Sequence, residues 1–146
     1  MPTLLNSPDR DAILARLRRL APETPGQWGT LTAPKMICHL NDAMRVALGE
    51  LKSTDMSTLL TRTLLRFLVI QTPIFAPPDK AKTSPEMLSS SPDAFAADVS
   101  ACERLLARVG RGEAIGVHPM FGKLSATEWA RLGWKHFDHH LRQFGV

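Results

Sequence analysis

The chain contains no tyrosine, and it has only two cysteines among 146 residues. The absence of a phenol group removes one common general acid or base and argues against an elaborate acid-base mechanism. Cys38 and Cys102 lie far apart and form no CxxC motif. This usage is typical of reduced thiols in a cytoplasmic protein rather than of a disulfide scaffold.

Long apolar runs are also absent. The most apolar window, from Leu59 to Ile70, is interrupted by Arg62 and Arg66 and falls short of the roughly 20 residues that a membrane span needs. Residues 1–16 lack the basic start, apolar run and cleavage site of a secretory signal. We therefore expect a soluble, cytoplasmic protein without a membrane partner.

Charge and length further limit the kind of protein that this sequence can encode. The formal net charge is +4, from 18 basic and 14 acidic residues, but the basic residues are scattered along the chain. Without a basic tail or an aromatic-basic stripe, nucleic-acid binding is not expected. The length and the 44% hydrophobic content predict one globular domain, residues 1–146, with a substantial core.

Hydrophobic periodicity in the first half of the chain predicts helices. Ser7-Pro8-Asp9 is typical of a helix start and predicts a first helix over about 8–20. A second helix is predicted from Thr32-Ala33-Pro34 until Gly49 weakens it. The third helical stretch, Ser53–Ile70, is apolar on most sides, which indicates deep packing or cover by a partner subunit.

The second half predicts a long connection and two more helices. Five of the eleven prolines lie between Pro73 and Pro92, which favours an irregular crossover. Apolar spacing predicts a helix from Phe95 to about Gly110. After a loop over Gly112–Lys123, a capping box at Ser125–Glu128 begins the last helix. The sequence thus predicts an all-α fold, a four-helix bundle with one long crossover and an extra short helix.

The last helix contains three histidines, His136, His139 and His140, within five positions. At about 100° per residue, His136 and His140 share the border of the apolar face with Trp129 and Gln143. Two imidazoles four residues apart can bind one ion. We expect His139 to be solvated, because it lies in a charged arc made of Glu128, Arg131, Lys135, Asp138 and Arg142.

His39 lies at a similar border of the second helix, so two packed helices can direct it towards His136 and His140. Three imidazoles without a fourth protein ligand make an open site of the kind that catalytic metals use. No HExxH motif occurs, so its general-base glutamate is missing. The alternative stays open that each histidine simply packs at the edge of the core.

Other chemically capable residues receive more modest interpretations. His118, in GVHPMFG, either caps a turn or lines a pocket. Cys38, Asn41 and Asp42 are predicted to face the polar side of the second helix, whereas Cys102 is predicted to fill the core. Gln143, one turn beyond His140, is positioned to orient a metal ligand or a bound water.

Several segments together resemble the DinB/YfiT-like superfamily of metalloenzymes, and most closely a bacterial subfamily of unassigned function. They are Trp28-Gly29, the run Met36–Leu40, the run His118–Ser125, Glu128-Trp129 and KHFDHHLRQF at 135–144. The resemblance covers most of the chain. Its specific part is His118–Phe144, and residues 51–93 have no counterpart in it.

The resemblance implies a four-helix bundle that holds a divalent metal through His39, His136 and His140. We also expect a small-molecule ligand at this centre, with Gln143, Trp129 and His118 as candidate residues around it. Some members are thiol-dependent S-transferases or isomerases, and many form homodimers. An all-imidazole ligand set suits Zn, Ni, Cu or Fe better than Mg or Ca.

The leading functional hypothesis is a metal-dependent enzyme that transfers or adds a low-molecular-weight thiol. A second hypothesis is a metal- or ligand-binding bundle without turnover. A third is an interaction protein that dimerises through Leu59–Ile70.

Overall fold

The computed structural model describes residues 1–73 and 84–146 and is mostly helical. Its helices are α1 Ser7–Leu17, α2 Ala33–Ala47, α3 Arg66–Gln71, α4 Phe95–Gly110 and α5 Ala126–Gln143. A π-helical turn, Thr61–Leu65, leads into α3, and a 3-10 turn, Pro85–Leu88, precedes α4. One short antiparallel hairpin pairs β1 Val117–His118 with β2 Gly122–Lys123. The all-α expectation is confirmed apart from this hairpin, and residues 74–83 of the predicted crossover lie outside the described residues.

The predicted capping box of α5 is present. The Ser125 hydroxyl accepts a hydrogen bond from the Glu128 N–H, and the Glu128 carboxylate accepts one from the Ser125 N–H. At the start of α1, the Asn6 side chain accepts from the Asp9 N–H. Such caps satisfy N–H groups that a helix leaves without partners, and each stabilises by about 1 kcal/mol.

A single cluster of buried apolar side chains joins α1, α2, α4 and α5. Its fully buried members include Ile13, Leu17, Leu40, Met44, Leu106, Phe137 and Leu141. Within residues 1–73 and 84–146, no helix has both the length and the apolar character needed to cross a bilayer.

Helix α2 lies at the centre of the fold and packs against α4, α5, the 3-10 turn and β1. Twelve of its fifteen residues are buried, and these include Cys38, Asn41 and Asp42. The prediction that these three face the polar side was wrong. It assumed that one face of α2 is open to solvent, whereas α4 and the segment before it cover that face.

Asp42 attaches the segment before α4 to α2. Its carboxylate is 1% exposed and accepts hydrogen bonds from the Ser90 N–H at 2.9 Å and the Ser90 hydroxyl at 2.5 Å. Arg45 donates to the same group at 3.1 Å. A buried charge is tolerated because these donors replace its lost hydration. The attachment helps to hold the 3-10 turn, and with it Met87, against α2.

The predicted third helix, Ser53–Ile70, is helical only in its second part. Residues 53–58 are not helical, and the helical turns begin at residue 59. Arg66 forms a 2.7 Å ion pair with Glu128 of α5, and Ile70 is buried. The opposite face is 55–81% exposed at Leu59, Leu60, Leu64 and Phe67.

Two residues of the charged arc of α5 are buried against neighbouring elements. Lys135 is 8% exposed and donates to the carbonyl oxygens of Val69 and Thr72, at 2.6 and 2.5 Å, at the end of α3. Asp138 is 8% exposed and pairs with Arg16 of α1 at 2.7 Å. The whole arc was predicted to face solvent, and for these two residues α3 and α1 cover it instead.

We expect Asp42→Ala to lower the free energy of unfolding by about 2–3 kcal/mol, because it removes a buried carboxylate and leaves the partly buried Ser90 donors without their acceptor. Urea unfolding measures this loss. Asp11→Ala, at an exposed position of α1, is the matched control and should change stability by less than about 0.5 kcal/mol. Equal effects of the two substitutions would contradict this role for Asp42.

Candidate metal centre

Three imidazole rings meet between α2 and α5. The Nε2 atom of His136 lies 2.9 Å from Nε2 of His39 and 3.1 Å from Nε2 of His140. Every pair of ring centroids is 4.8 Å apart. His39 and His140 are 3% and 9% exposed. The structure therefore brings together the three residues that helical phase had grouped, in an arrangement that can hold a metal ion.

The ring of His39 is oriented by a backbone carbonyl. Its Nδ1 lies 2.8 Å from the carbonyl oxygen of Met87 in the 3-10 turn. A carbonyl oxygen can only accept, so Nδ1 carries the hydrogen and donates it. The Nε2 lone pair of neutral His39 is therefore directed towards the other two rings.

His140 is oriented in the same way by an amide. Its Nδ1 lies 2.9 Å from Oε1 of Gln143, while Nε2 of Gln143 donates to the Trp28 carbonyl oxygen at 2.8 Å. The Trp28 carbonyl requires a donor, and this fixes which end of the amide faces His140. The Nδ1 atom of His140 consequently carries the hydrogen, and its Nε2 lone pair also points into the cluster.

Protons alone do not satisfy this arrangement. His136 Nε2 faces two lone pairs, and a single N–H can be donated to only one of them. Burial lowers the pKa of His140 to about 3, and burial followed by repulsion from the other two rings lowers the pKa of His136. Additional protons are therefore disfavoured, and one divalent cation would accept all three lone pairs.

The spacing of the nitrogen atoms also suits a metal. Metal–imidazole bonds of about 2.0–2.1 Å place neighbouring ligand nitrogens about 3 Å apart, and the observed separations are 2.9 and 3.1 Å. The donor set is neutral nitrogen throughout, which fits a transition metal rather than Mg or Ca.

His118 lies outside the trio and caps the hairpin turn. Its Nδ1 accepts hydrogen bonds from the backbone N–H groups of Met120 and Phe121, at 3.1 and 3.2 Å. The ring stacks on Phe121 and lies 5.3 Å from the ring of Trp129. Burial lowers its pKa to about 4. Two roles were considered for His118, capping a turn and lining a pocket, and the structure shows the first.

Trp129 and His139 also lie outside the trio. The indole N–H of Trp129 donates to the Gly116 carbonyl oxygen at 3.1 Å, and the side chain is buried. His139, predicted to be solvated, is only partly exposed, and its ring lies 6.2 Å from Trp28. Neither residue belongs to the trio, although the ring of His139 lies 5.1 Å from that of His140.

Comparison with known proteins places the chain in one family. The profile of the family described as "Protein of unknown function (DUF1569)" matches residues 2–145. The chain belongs to the DUF1569 family. No curated protein and no solved structure gives a significant match. A function for this DUF1569 chain is therefore inferred from the chemistry of the site.

Two partners of this DUF1569 site were missed by sequence reasoning, the backbone carbonyls of Met87 and Trp28. Every residue has a carbonyl group, so these contacts leave no signal in residue type. The cysteines offer no alternative ligands or nucleophiles, because both are buried outside the trio and burial raises the pKa of each thiol.

In this DUF1569 protein we expect Gln143→Met to weaken metal affinity about 10–100-fold, because His140 loses the acceptor that orients its ring. Gln143→Glu keeps an acceptor and should retain most of the affinity. Competition with a chromophoric chelator measures both. The interpretation fails if the Met variant binds metal as tightly as the wild type.

The buried histidines also predict acid sensitivity of the metal-free protein. Folding lowers the pKa of His118 to about 4 and that of His140 to about 3, whereas both titrate near 6.5 when unfolded. Below about pH 6.5 the unfolded chain binds more protons than the folded protein, so the folded protein loses stability as the pH falls. For each histidine, the free energy of unfolding decreases by up to about 1.4 kcal/mol per pH unit. Urea unfolding at about pH 7.5 and 5.5 with chelator present tests this. Equal stability at both would contradict it.

Proposed function

We propose that this protein is a DinB/YfiT-like four-helix bundle that binds one divalent metal ion through His39, His136 and His140. The observation that carries the proposal is the convergence of three Nε2 atoms, two of which have their lone pairs directed inward by fixed Nδ1–H donors. The bundle consists of α1, α2, α4 and α5, whose apolar faces share one core.

Zn, Ni or Fe is the expected metal, because these ions accept an all-imidazole ligand set. Three protein ligands leave a coordination position for a small molecule. A metal bound here would lower the pKa of a coordinated thiol or water towards neutrality. The protein's own part is to hold the imidazole rings, through Met87 for His39 and Gln143 for His140.

For the reaction, we propose transfer or addition of a low-molecular-weight thiol in the cytoplasm. An external sulfur source is favoured because Cys38 and Cys102 are buried and neither belongs to the trio. The two acids of α5 are already engaged, Glu128 by Arg66 and Asp138 by Arg16. A metal-bound thiolate needs no strong protein base to remain deprotonated, which favours this class of reaction.

Metal analysis of three proteins tests the centre. Wild type purified without a histidine tag should contain close to one metal per chain by mass spectrometry, and His140→Ala should lose it. His139→Ala is the matched control, one position away and outside the trio, and should retain the metal. Equal retention by both variants, or no metal in wild type even after reconstitution, would contradict the centre.

Turnover separates the enzyme from a binding protein. Metal-loaded wild type would be incubated with a panel of small thiols and an electrophile, with His140→Ala as the inactive control. Thiol consumption by wild type alone supports the transferase. If no thiol is consumed while the metal stays bound, the non-catalytic metal-binding bundle is favoured.

We also propose that the protein is a homodimer. The exposed face of the third helical segment, formed by Leu59, Leu60, Leu64 and Phe67, supports this, since contiguous apolar surface of this kind is typical of protein interfaces. We expect the double substitution Leu60→Glu and Leu64→Glu to shift sedimentation from dimer to monomer. Ile115→Glu, exposed outside this segment, is the control. A wild-type protein that sediments as a monomer would contradict the proposed homodimer.

A further inference from the structure

A short strap of chain lies against α2 beside the metal centre. It consists of the 3-10 turn Pro85–Leu88 followed by Ser89 and Ser90, and the turn packs against α2. The strap contacts the three imidazoles through the Met87 carbonyl oxygen, which lies 2.8 Å from Nδ1 of His39. The direction of the His39 ring therefore depends on how firmly the strap holds this carbonyl in place.

Lys35 binds the strap directly after Met87. Its ammonium group donates to the carbonyl oxygens of Leu88 at 3.1 Å and Ser90 at 2.6 Å. Within residues 1–73 and 84–146, no other donor bonds to these two oxygens. Hydrogen bonds from a charged donor are stronger than those between neutral groups. Lys35 therefore restrains the strap within one residue of the carbonyl that orients His39.

Lys35, His39 and Asp42 occupy one stripe of α2. They are spaced at four and three residues, so their side chains leave the helix within an arc of about 60°. Lys35 precedes His39 by about one turn, and Asp42 follows it by about one turn and accepts from the Ser90 N–H at 2.9 Å. The helix that supplies the metal ligand thus also supplies the groups on either side that hold its hydrogen-bond acceptor.

We propose that Lys35 is a positioning residue for the metal ligand His39. It holds the strap so that the Met87 carbonyl accepts the Nδ1–H of His39, and the Nε2 lone pair of His39 then faces His136. This inference rests on the proposed metal centre and adds a determinant of its metal affinity. That determinant lies outside the centre, because Lys35 bonds the strap rather than an imidazole.

Metal binding is expected to stabilise the strap in return. A metal ion on Nε2 holds the His39 ring in the orientation that donates to Met87. Energetic coupling is reciprocal, so the metal must stabilise the attached strap by the same factor by which the attached strap strengthens metal binding. Hydrogen exchange of the Ser90 N–H, which bonds to Asp42, therefore reports this coupling without any activity assay.

Three substitutions at lysine positions test the role of Lys35. Lys35→Met removes the ammonium donor and keeps an apolar stem, whereas Lys35→Arg keeps a charged donor. Lys52→Met, at an exposed position, is the matched control. Cobalt affinity of each protein is measured by competition with a chromophoric chelator.

We expect Lys35→Met to weaken cobalt binding about three- to tenfold, less than the loss of a group that bonds the metal ligand directly. Lys35→Arg and Lys52→Met should both remain within about twofold of wild type, because each keeps a charged donor at position 35. Unchanged affinity in Lys35→Met, or an equal loss in Lys52→Met, would overturn the positioning role.

Nitrogen NMR of the metal-free proteins separates positioning from a general loss of stability. In Lys35→Met the Nδ1 resonance of His39 should move away from its wild-type position. The Nδ1 resonance of His140 should stay unchanged, because Gln143 rather than the strap orients that ring. An unchanged His39 resonance, or an equal change at both histidines, would overturn the inference.

Two further results keep the outcomes distinct. A wild-type protein that binds no cobalt overturns the metal centre, and the NMR comparison of metal-free proteins then still decides whether Lys35 orients His39. If Lys35→Met does not fold, hydrogen exchange of the wild-type protein replaces it. Zinc must then slow exchange of the Ser90 N–H, and an unchanged rate in zinc-loaded protein overturns the inference.

Discussion

The proposed function depends on one contact, the close approach of three imidazole nitrogens between α2 and α5. The Nε2 atom of His136 lies 2.9 Å from that of His39 and 3.1 Å from that of His140. Neighbouring nitrogen ligands of one metal ion have about this separation. The lone pairs on these nitrogens repel one another, and a cation between them would relieve the repulsion. A proton is disfavoured in that role, because burial lowers the pKa of His136 and of His140. A divalent metal satisfies both constraints at once.

The scaffold holds this contact through groups far apart in sequence. Met87 reaches His39 from the segment that Asp42 attaches to α2, and Gln143 reaches His140 while bonded to the loop at Trp28. Because both Nδ1–H groups are already hydrogen-bonded, the two imidazole rings would lose less conformational freedom when a metal binds. The core would therefore raise the affinity of the proposed metal by holding His39 and His140 in their binding orientation.

Helical periodicity was sufficient to group His39, His136 and His140, because side-chain direction repeats with a known angle. The same reasoning failed where a helix is covered on more than one side. Asp42 on α2, and Lys135 and Asp138 on α5, are buried by elements that a single-helix projection does not contain. Backbone carbonyls such as that of Met87 carry no residue-type signal, and the non-helical start at 53–58 depends on tertiary context.

X-ray absorption spectroscopy of the zinc-loaded wild-type protein measures directly whether His39, His136 and His140 bind one metal ion. We expect three imidazole nitrogens at about 2.0–2.1 Å from the zinc, with the multiple scattering typical of histidine rings and no protein sulfur bound to the metal. A spectrum with fewer than three imidazoles, or with sulfur at about 2.3 Å in the absence of added thiol, would contradict it.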